Sequence, residues 1–230
     1  MIKTVFLDLD DTILDFQKSE RIAIRKTFEI MDVPHSDEII ERYIEINVGL
    51  WQALERGELT REGVLHGRFE RLYSELNVIR SAKESQELYQ TLLAKEYDFL
   101  PGGKELLLEF KRSGKYKLYM ATNGIPEVQE PRIEASGVGE FFDGVFISEK
   151  IGYAKPDKRF FDKCFAMIQG FKKEEAIIVG DSLSSDIKGG INAGILTCHF
   201  NPKDKPYTSI KPDYKITNLC ELIPLLDNIK

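Results

Sequence analysis

Short apolar runs rich in β-branched, aliphatic and aromatic residues recur at positions 4–9, 117–122, 144–148, 176–180 and 195–200. Each has the length and composition of a buried strand. Helical patterns separate several of them. Residues 101–113 place Leu106, Leu107 and Phe110 on one face and close on Ser113-Gly114, a helix with its terminator. Residues 156–167 repeat the design with Phe160, Phe161 and Phe165, and Asp157 stands where a helix cap belongs. Residues 218–228 predict a last short helix whose register Pro224 blurs. Strands alternating with helices predict a mostly parallel sheet covered on both faces.

The stretch 17–97 departs from this alternation. It is helix-patterned throughout, with Leu65, Phe69, Leu72, Tyr73 and Leu76, and Ile40, Tyr43, Ile44 and Leu50, at helical spacings. Roughly eighty residues far exceed what one crossover between parallel strands needs. The expected organisation is therefore an α/β core from residues 1–16 and 98–230 with an α-helical cap, 17–97, inserted between. Residues 201–213, with three prolines, read as a surface loop.

Composition narrows the class. An apolar fraction of 42% supplies a core, and a net charge of −6 disfavours nucleic acid or an anionic membrane as partner. Cys164, Cys198 and Cys220 are far apart and match no metal-ligand spacing, so reduced, mostly buried thiols and a cytoplasmic location are expected. No segment reaches membrane-spanning length.

The chemistry begins at Phe6-Leu7-Asp8-Leu9-Asp10-Asp11-Thr12. Along a strand, carboxylates at i and i+2 share one face. Asp8 and Asp10 would then point together at a metal and a phosphoryl group. In an open parallel sheet ligands bind beyond the carboxyl ends of the strands, and three more polar signals stand at such ends. These are Thr122-Asn123-Gly124, Lys155-Pro156, and Gly180-Asp181-Ser182 followed by Asp186. Each alone is an ordinary turn or cap; together they supply nucleophile, hydroxyl, cation and acid.

With these four motifs the chain resembles the haloacid dehalogenase (HAD) superfamily, whose core is a Rossmann-like parallel sheet and whose first class carries a helical cap at this position. The segments Ile151-Gly152-Tyr153-Ala154-Lys155-Pro156 and Gly189-Gly190-Ile191-Asn192-Ala193-Gly194, and Thr122-Asn123-Gly124 with Gln129 and Arg132, resemble its YjjG-like pyrimidine 5′-nucleotidases. The resemblance implies Asp8 as nucleophile and Asp10 as the acid that protonates the leaving group and then activates water, with crowding among anions keeping its proton. It implies Mg²⁺ held by the Asp8 and Asp181 carboxylates and the Asp10 carbonyl, with Asp186 orienting a water or Lys155. Thr122 and the Asn123 amide would hold phosphoryl oxygens, and Lys155 would neutralise charge. Asp10 favours phosphoryl transfer over dehalogenation, because halide leaves without a proton.

The expected substrate is a small phosphate monoester, foremost a pyrimidine nucleoside 5′-monophosphate. A sugar phosphate or other small metabolite is the alternative, and a non-catalytic binding protein the remote one. In the cap, Trp51 and Arg68 are candidate nucleoside contacts. The expected assembly is a monomer or homodimer. Pro131 falls inside the helix expected after Thr122, so Gln129 and Arg132 are not counted among the catalytic residues.

Overall fold

The computed structural model describes residues 1–207 and 209–229. Thr208, in the expected 201–213 loop, and Lys230, at the end of the expected core, lie outside the described residues. Six strands form one parallel sheet in the order β3-β2-β1-β4-β5-β6. They are β1 (Thr4–Leu7), β2 (Lys117–Thr122), β3 (Gly144–Ile147), β4 (Ala176–Gly180), β5 (Leu196–Phe200) and β6 (Tyr214–Ile216). The helices are α1 (Phe16–Ile30), α2 (Asp37–Glu55), α3 (Arg61–Leu76), α4 (Ala82–Leu93), α5 (Gly103–Ser113), α6 (Pro126–Ser136), α7 (Ser148–Ile151), α8 (Lys158–Ala166), α9 (Lys188–Ala193) and α10 (Leu222–Asn228).

The alternation along β1 explains the layering. Val5 and Leu7 point to one face, where α5 and α10 bring Leu106, Phe110, Leu222 and Leu226. Phe6 points to the other, where Phe160, Phe161 and Phe165 of α8 close over it. Burying each such side chain contributes about 1.5–3 kcal/mol. Asp157 caps α8 as its sequence position suggests, its carboxylate accepting from the Arg159 amide at 2.9 Å. Asn218 and Glu221 form a reciprocal capping box ahead of α10.

Two features differ from the sequence expectation. Strand β1 stops at Leu7, two residues early, and β6 was not foreseen. The first difference arises because the chain turns to hydrogen-bond itself. The Ile13 and Leu14 amides both reach the Leu9 carbonyl at 2.9 Å, and the Asp11 amide reaches Leu14. Asp11 accordingly adopts φ 55°, a left-handed conformation that Asp tolerates better than most residues. The second arises because β6 is only three residues long, too short to show a period.

The chain divides into two compact units, Met1–Phe16 with Tyr97–Lys230, and Gln17–Glu96. In the first, the departing and returning segments are tied by Asp15 N–H to Asp98 O at 2.8 Å and Leu100 N–H to Ile13 O at 2.9 Å. The second is helical, packed around Phe28, Tyr43, Phe69, Tyr73 and Tyr89. Among the described residues, no helix is long and apolar enough to cross a membrane. Cys164 and Cys198 are buried and Cys220 is exposed, all as free thiols.

Glycine marks one close approach in the sheet layer. A Cβ on Gly190 would lie 2.5 Å from Ile178 Cγ2 and 2.6 Å from Thr197 Cγ2. Gly190→Ala should cost about 1–3 kcal/mol in urea unfolding, because β-branched neighbours in a packed layer yield little. Gly49, mid-helix in α2 with nothing within 4 Å of its Cβ position, should behave oppositely, Gly49→Ala stabilising by about 0.5–1 kcal/mol.

Candidate active site

Register places the acids. Leu7 pairs with Met120 on one side and Val179 on the other, so Asp8 stands level with Ala121 and Gly180, between the ends of β2 and β4. Strand order reverses here, with later strands added on both sides of β1, which is where a parallel sheet opens a crevice. The Asp8 amide extends the ladder by one bond, to Val179 O at 3.0 Å. Asp10 does not continue the strand face. It sits in the turn, bridged to Leu14, so the strand argument for pairing the two acids is replaced by turn geometry.

Lys155 is 2% exposed. Its ammonium donates to Asp8 Oδ1 and Asp186 Oδ1, each at 2.6 Å, and to the Ala121 carbonyl. Asn123 fixes the segment that carries it, accepting from the Lys155 amide at 2.9 Å and donating to the Lys155 carbonyl at 2.8 Å. Asp186 is fully buried and its second oxygen accepts from the Ser182 amide at 3.1 Å. A Cβ on Gly180 would fall 2.1 Å from that oxygen, so the glycine makes room for the carboxylate. Thr12 donates to Asp181 Oδ1 at 3.3 Å, and His199 Nε2 lies 2.8 Å from the Asp181 carbonyl.

Carboxylate oxygens of Asp8, Asp181 and Asp186 lie within 4.8 Å of one another. Burial, opposed by the Lys155 ammonium and reinforced by Asp186 and Asp10, raises the Asp8 carboxyl from its ordinary 3.8 to about 8. Burial, with Asp8 and Asp186 beside it, likewise raises Asp181 well above the ordinary range. Burial works against the Lys155 charge, but Asp186 and Asp8 outweigh it and hold the ammonium charged. Three acids against one cation, all offering hard oxygen donors, fit a divalent ion of the Mg²⁺ type. Asp186 is already engaged by Lys155 and Ser182, which leaves Asp8 and Asp181 as the better-disposed ligands.

The remaining expected residues part ways. Thr122 is 1% exposed and its hydroxyl accepts from the Gly124 amide at 3.1 Å and Gln129 Nε2 at 2.8 Å. With both lone pairs filled, the hydroxyl proton is what it has to offer an anion. Arg68 lies inside the helical unit. It is 3% exposed, donating to Asn47 Oδ1 at 3.0 Å and to Gln86 Oε1 at 2.7 Å, with its guanidinium 4.6 Å from the Tyr89 ring centroid. Its position beside the apolar face of α3 turns it into the helical unit. Trp51 is half-buried, with the Arg61 guanidinium 5.6 Å from its ring.

Gln129 and Arg132, not counted among the expected catalytic residues, both reach Asp10. Pro131 leaves α6 continuous, and its face carries Gln129 and Arg132 to Asp10. Arg132 donates to Asp10 Oδ1 at 2.6 Å and Gln129 to Asp10 Oδ2 at 2.7 Å. Asp10 is thus met by a guanidinium and an amide, in addition to the crowding among anions that the sequence leads one to expect. The signal was available in the sequence as two long polar side chains three apart on one helix face.

This arrangement, acids and a buried lysine at the switch point of a parallel sheet, is that of a hydrolytic enzyme. Residues 2–194 match the family model described as haloacid dehalogenase-like hydrolase, and the chain belongs to that family. It is 38% identical to the HAD-hydrolase YfnB of Bacillus subtilis, over 98% of this chain and 95% of YfnB. The magnesium-bound crystal structure of YfnB superposes with a TM-score of 0.93, covering 99% of each chain. The pyrimidine 5′-nucleotidase PynA of Streptococcus pneumoniae is 35% identical over 98% of this chain and 95% of its own length. The pyrimidine 5′-nucleotidase YjjG of Escherichia coli is 33% identical over 96% of each chain.

The raised Asp8 carboxyl has a thermodynamic sign. Unfolded, Asp8 releases its proton near 3.8; folded and metal-free, near 8. Between those values the native state holds more protons, so its contribution to stability is full below the lower value and lost as pH rises through the upper one. In EDTA, the melting temperature of Asp8→Asn should gain progressively on the wild type from pH 5 to pH 8 in a fluorimetric melt. Parallel curves would count against it.

Proposed function

We propose that this chain is a Mg²⁺-dependent phosphoric monoester hydrolase that works through an aspartyl-phosphate on Asp8, and that its substrates are pyrimidine nucleoside 5′-monophosphates. The observation that carries the chemistry is the Asp8–Lys155–Asp186 cluster with Asp10 one turn away. Phosphate monoesters hydrolyse so slowly in water that an enzyme must remove roughly 20 kcal/mol of barrier. A carboxylate nucleophile divides that task into two displacements.

In the first, an Asp8 oxygen bonds to phosphorus as the ester P–O bond breaks. The departing alkoxide takes a proton from Asp10. In the second, Asp10 accepts a proton from water as the water oxygen attacks phosphorus. The bond to Asp8 then breaks, releasing phosphate and restoring the carboxylate. Lys155 stabilises the charge on Asp8 throughout, and Asp186 holds Lys155 in place. The Thr122 hydroxyl and the Asn123 amide receive phosphoryl oxygens. Mg²⁺ held by Asp8, Asp181 and the Asp10 carbonyl would polarise the phosphoryl group and offset the crowded carboxylates.

The choice of substrate rests on the likeness to PynA and YjjG along nearly the whole chain. Phosphate release from a panel of nucleotides and sugar phosphates tests both levels. UMP, dUMP or TMP should lead the panel, and EDTA should abolish turnover. Asp8→Asn should lower kcat by at least about a thousandfold, the scale on which removing a nucleophile acts. Turnover confined to sugar phosphates would keep the chemistry and remove the nucleotide assignment. No turnover of any ester would overturn the whole reading.

A further inference from the structure

The phosphoryl chemistry assigned to Asp8, Lys155 and Asp181 leaves unexplained why α6 buries two polar side chains beside them. Gln129 is 1% exposed and Arg132 is fully buried. Their donors meet the Asp10 carboxylate one per oxygen, Arg132 at Oδ1 and Gln129 at Oδ2. The same Gln129 amide nitrogen donates to Thr122 Oγ1 at 2.8 Å, while its carbonyl accepts from Arg132 at 2.8 Å. Each member of the chain Arg132–Gln129–Thr122 is therefore oriented by the next, and Asp10 is held at two points.

Two further contacts keep the pair in place. The Arg132 guanidinium lies 5.7 Å from the Phe16 ring centroid. Gly124 supplies the space that Gln129 occupies: a Cβ there would fall 2.3 Å from Gln129 Nε2 and 2.5 Å from its Cγ. Any residue other than glycine at 124 would push Gln129 off Asp10 and Thr122.

We propose that Gln129 and Arg132 are positioning residues for Asp10, holding its carboxylate in one orientation relative to the phosphoryl-binding hydroxyl of Thr122. A side chain on a turn has two free torsions, and proton transfer demands hydrogen-bond reach to a reacting oxygen. Fixing both carboxylate oxygens from one helix removes that freedom, and routing one of the bonds through Thr122 keeps the proton-transfer group in register with the bound phosphoryl group. The step most dependent on it is the second displacement. There Asp10 must take the proton from water as the water oxygen bonds to phosphorus and the Asp8–phosphorus link breaks.

The inference rests on the aspartyl-phosphate reading, and 4-nitrophenyl phosphate separates the two. Its leaving group departs without a proton, so formation of the phosphoenzyme from it does not call on Asp10, while breakdown does. In Gln129→Met, Arg132→Met and Gly124→Ala, with Mg²⁺, kcat should fall about tenfold or more, the lower range for a lost proton-transfer group. The value of kcat/KM should stay within about threefold, because it reports only steps up to phosphoenzyme formation. Stopped-flow traces should then show a burst of 4-nitrophenolate approaching one equivalent. Arg132→Lys, which keeps the charge, should recover part of kcat.

A lesion that merely loosened the fold would lower kcat and kcat/KM together without a burst, and that result overturns the assignment. Unchanged kcat with no burst in Gln129→Met and Gly124→Ala overturns it too. Failure of the wild-type protein to turn over any ester of the panel, 4-nitrophenyl phosphate included, would instead remove the parent reading.

Discussion

The cluster of Asp8 and Asp186 at the sheet end depends on one buried ammonium. Lys155 reaches two carboxylates and a backbone carbonyl at once, and without it Asp8 and Asp186 would face each other across a space shielded from water. Losing one partner of such a cluster is costly because the charge left behind has no solvent. Several local features follow from keeping it intact. Asn123 grips the backbone on both sides of the Lys155 peptide unit, Gly180 gives up its side chain for Asp186, and the Ser182 amide takes the remaining Asp186 oxygen. The carboxyls of Asp8 and Asp181 are nonetheless raised, chiefly by burial and further by the neighbouring acids. A divalent cation, as proposed for this site, would offset the crowding of its three carboxylates.

The parallel core was legible because its strands are buried on both faces and so appear as continuous apolar runs. Strands β2 and β4 have the limits their composition predicts. Where the chain instead satisfies its backbone through turns, composition misleads. Leu9 is as apolar as Leu7 and as buried, yet its carbonyl closes a turn rather than a ladder. Strand β6 follows the same logic in reverse, with three residues that earn their place by pairing with β5 and not by any pattern of their own.

The site was legible where one residue type does one job. A Lys, a Thr and Asp residues at strand ends have few other reasons to converge there. Arg68 and Arg132 show where that logic fails. Both lie on helices beside apolar neighbours, and both are buried, but one is absorbed by Asn47, Gln86 and an aromatic ring while the other meets Asp10. A guanidinium offers five donors in a plane, so it suits an internal amide network as well as an acid. Sequence spacing cannot separate the two uses, because the difference lies in which side chains the fold brings opposite.

The two acids of the first motif show how one short segment acquires two sets of partners. Asp8 ends a strand and is met from the side of β4 and the Lys155 loop, by an ammonium that also serves Asp186. Asp10 belongs to the turn and is met from the side of β2 and α6, by an amide and a guanidinium that also reach Thr122 and each other. Two residues apart in the chain, the carboxylates answer to separate sets of partners anchored on separate elements. That separation matters chemically. In the proposed mechanism Asp8 bonds to phosphorus while Asp10 exchanges protons, and separate sets of partners let each change state on its own. The turn after Leu7, which breaks the simple strand pattern, is what moves Asp10 out of the Lys155 cluster and into reach of α6.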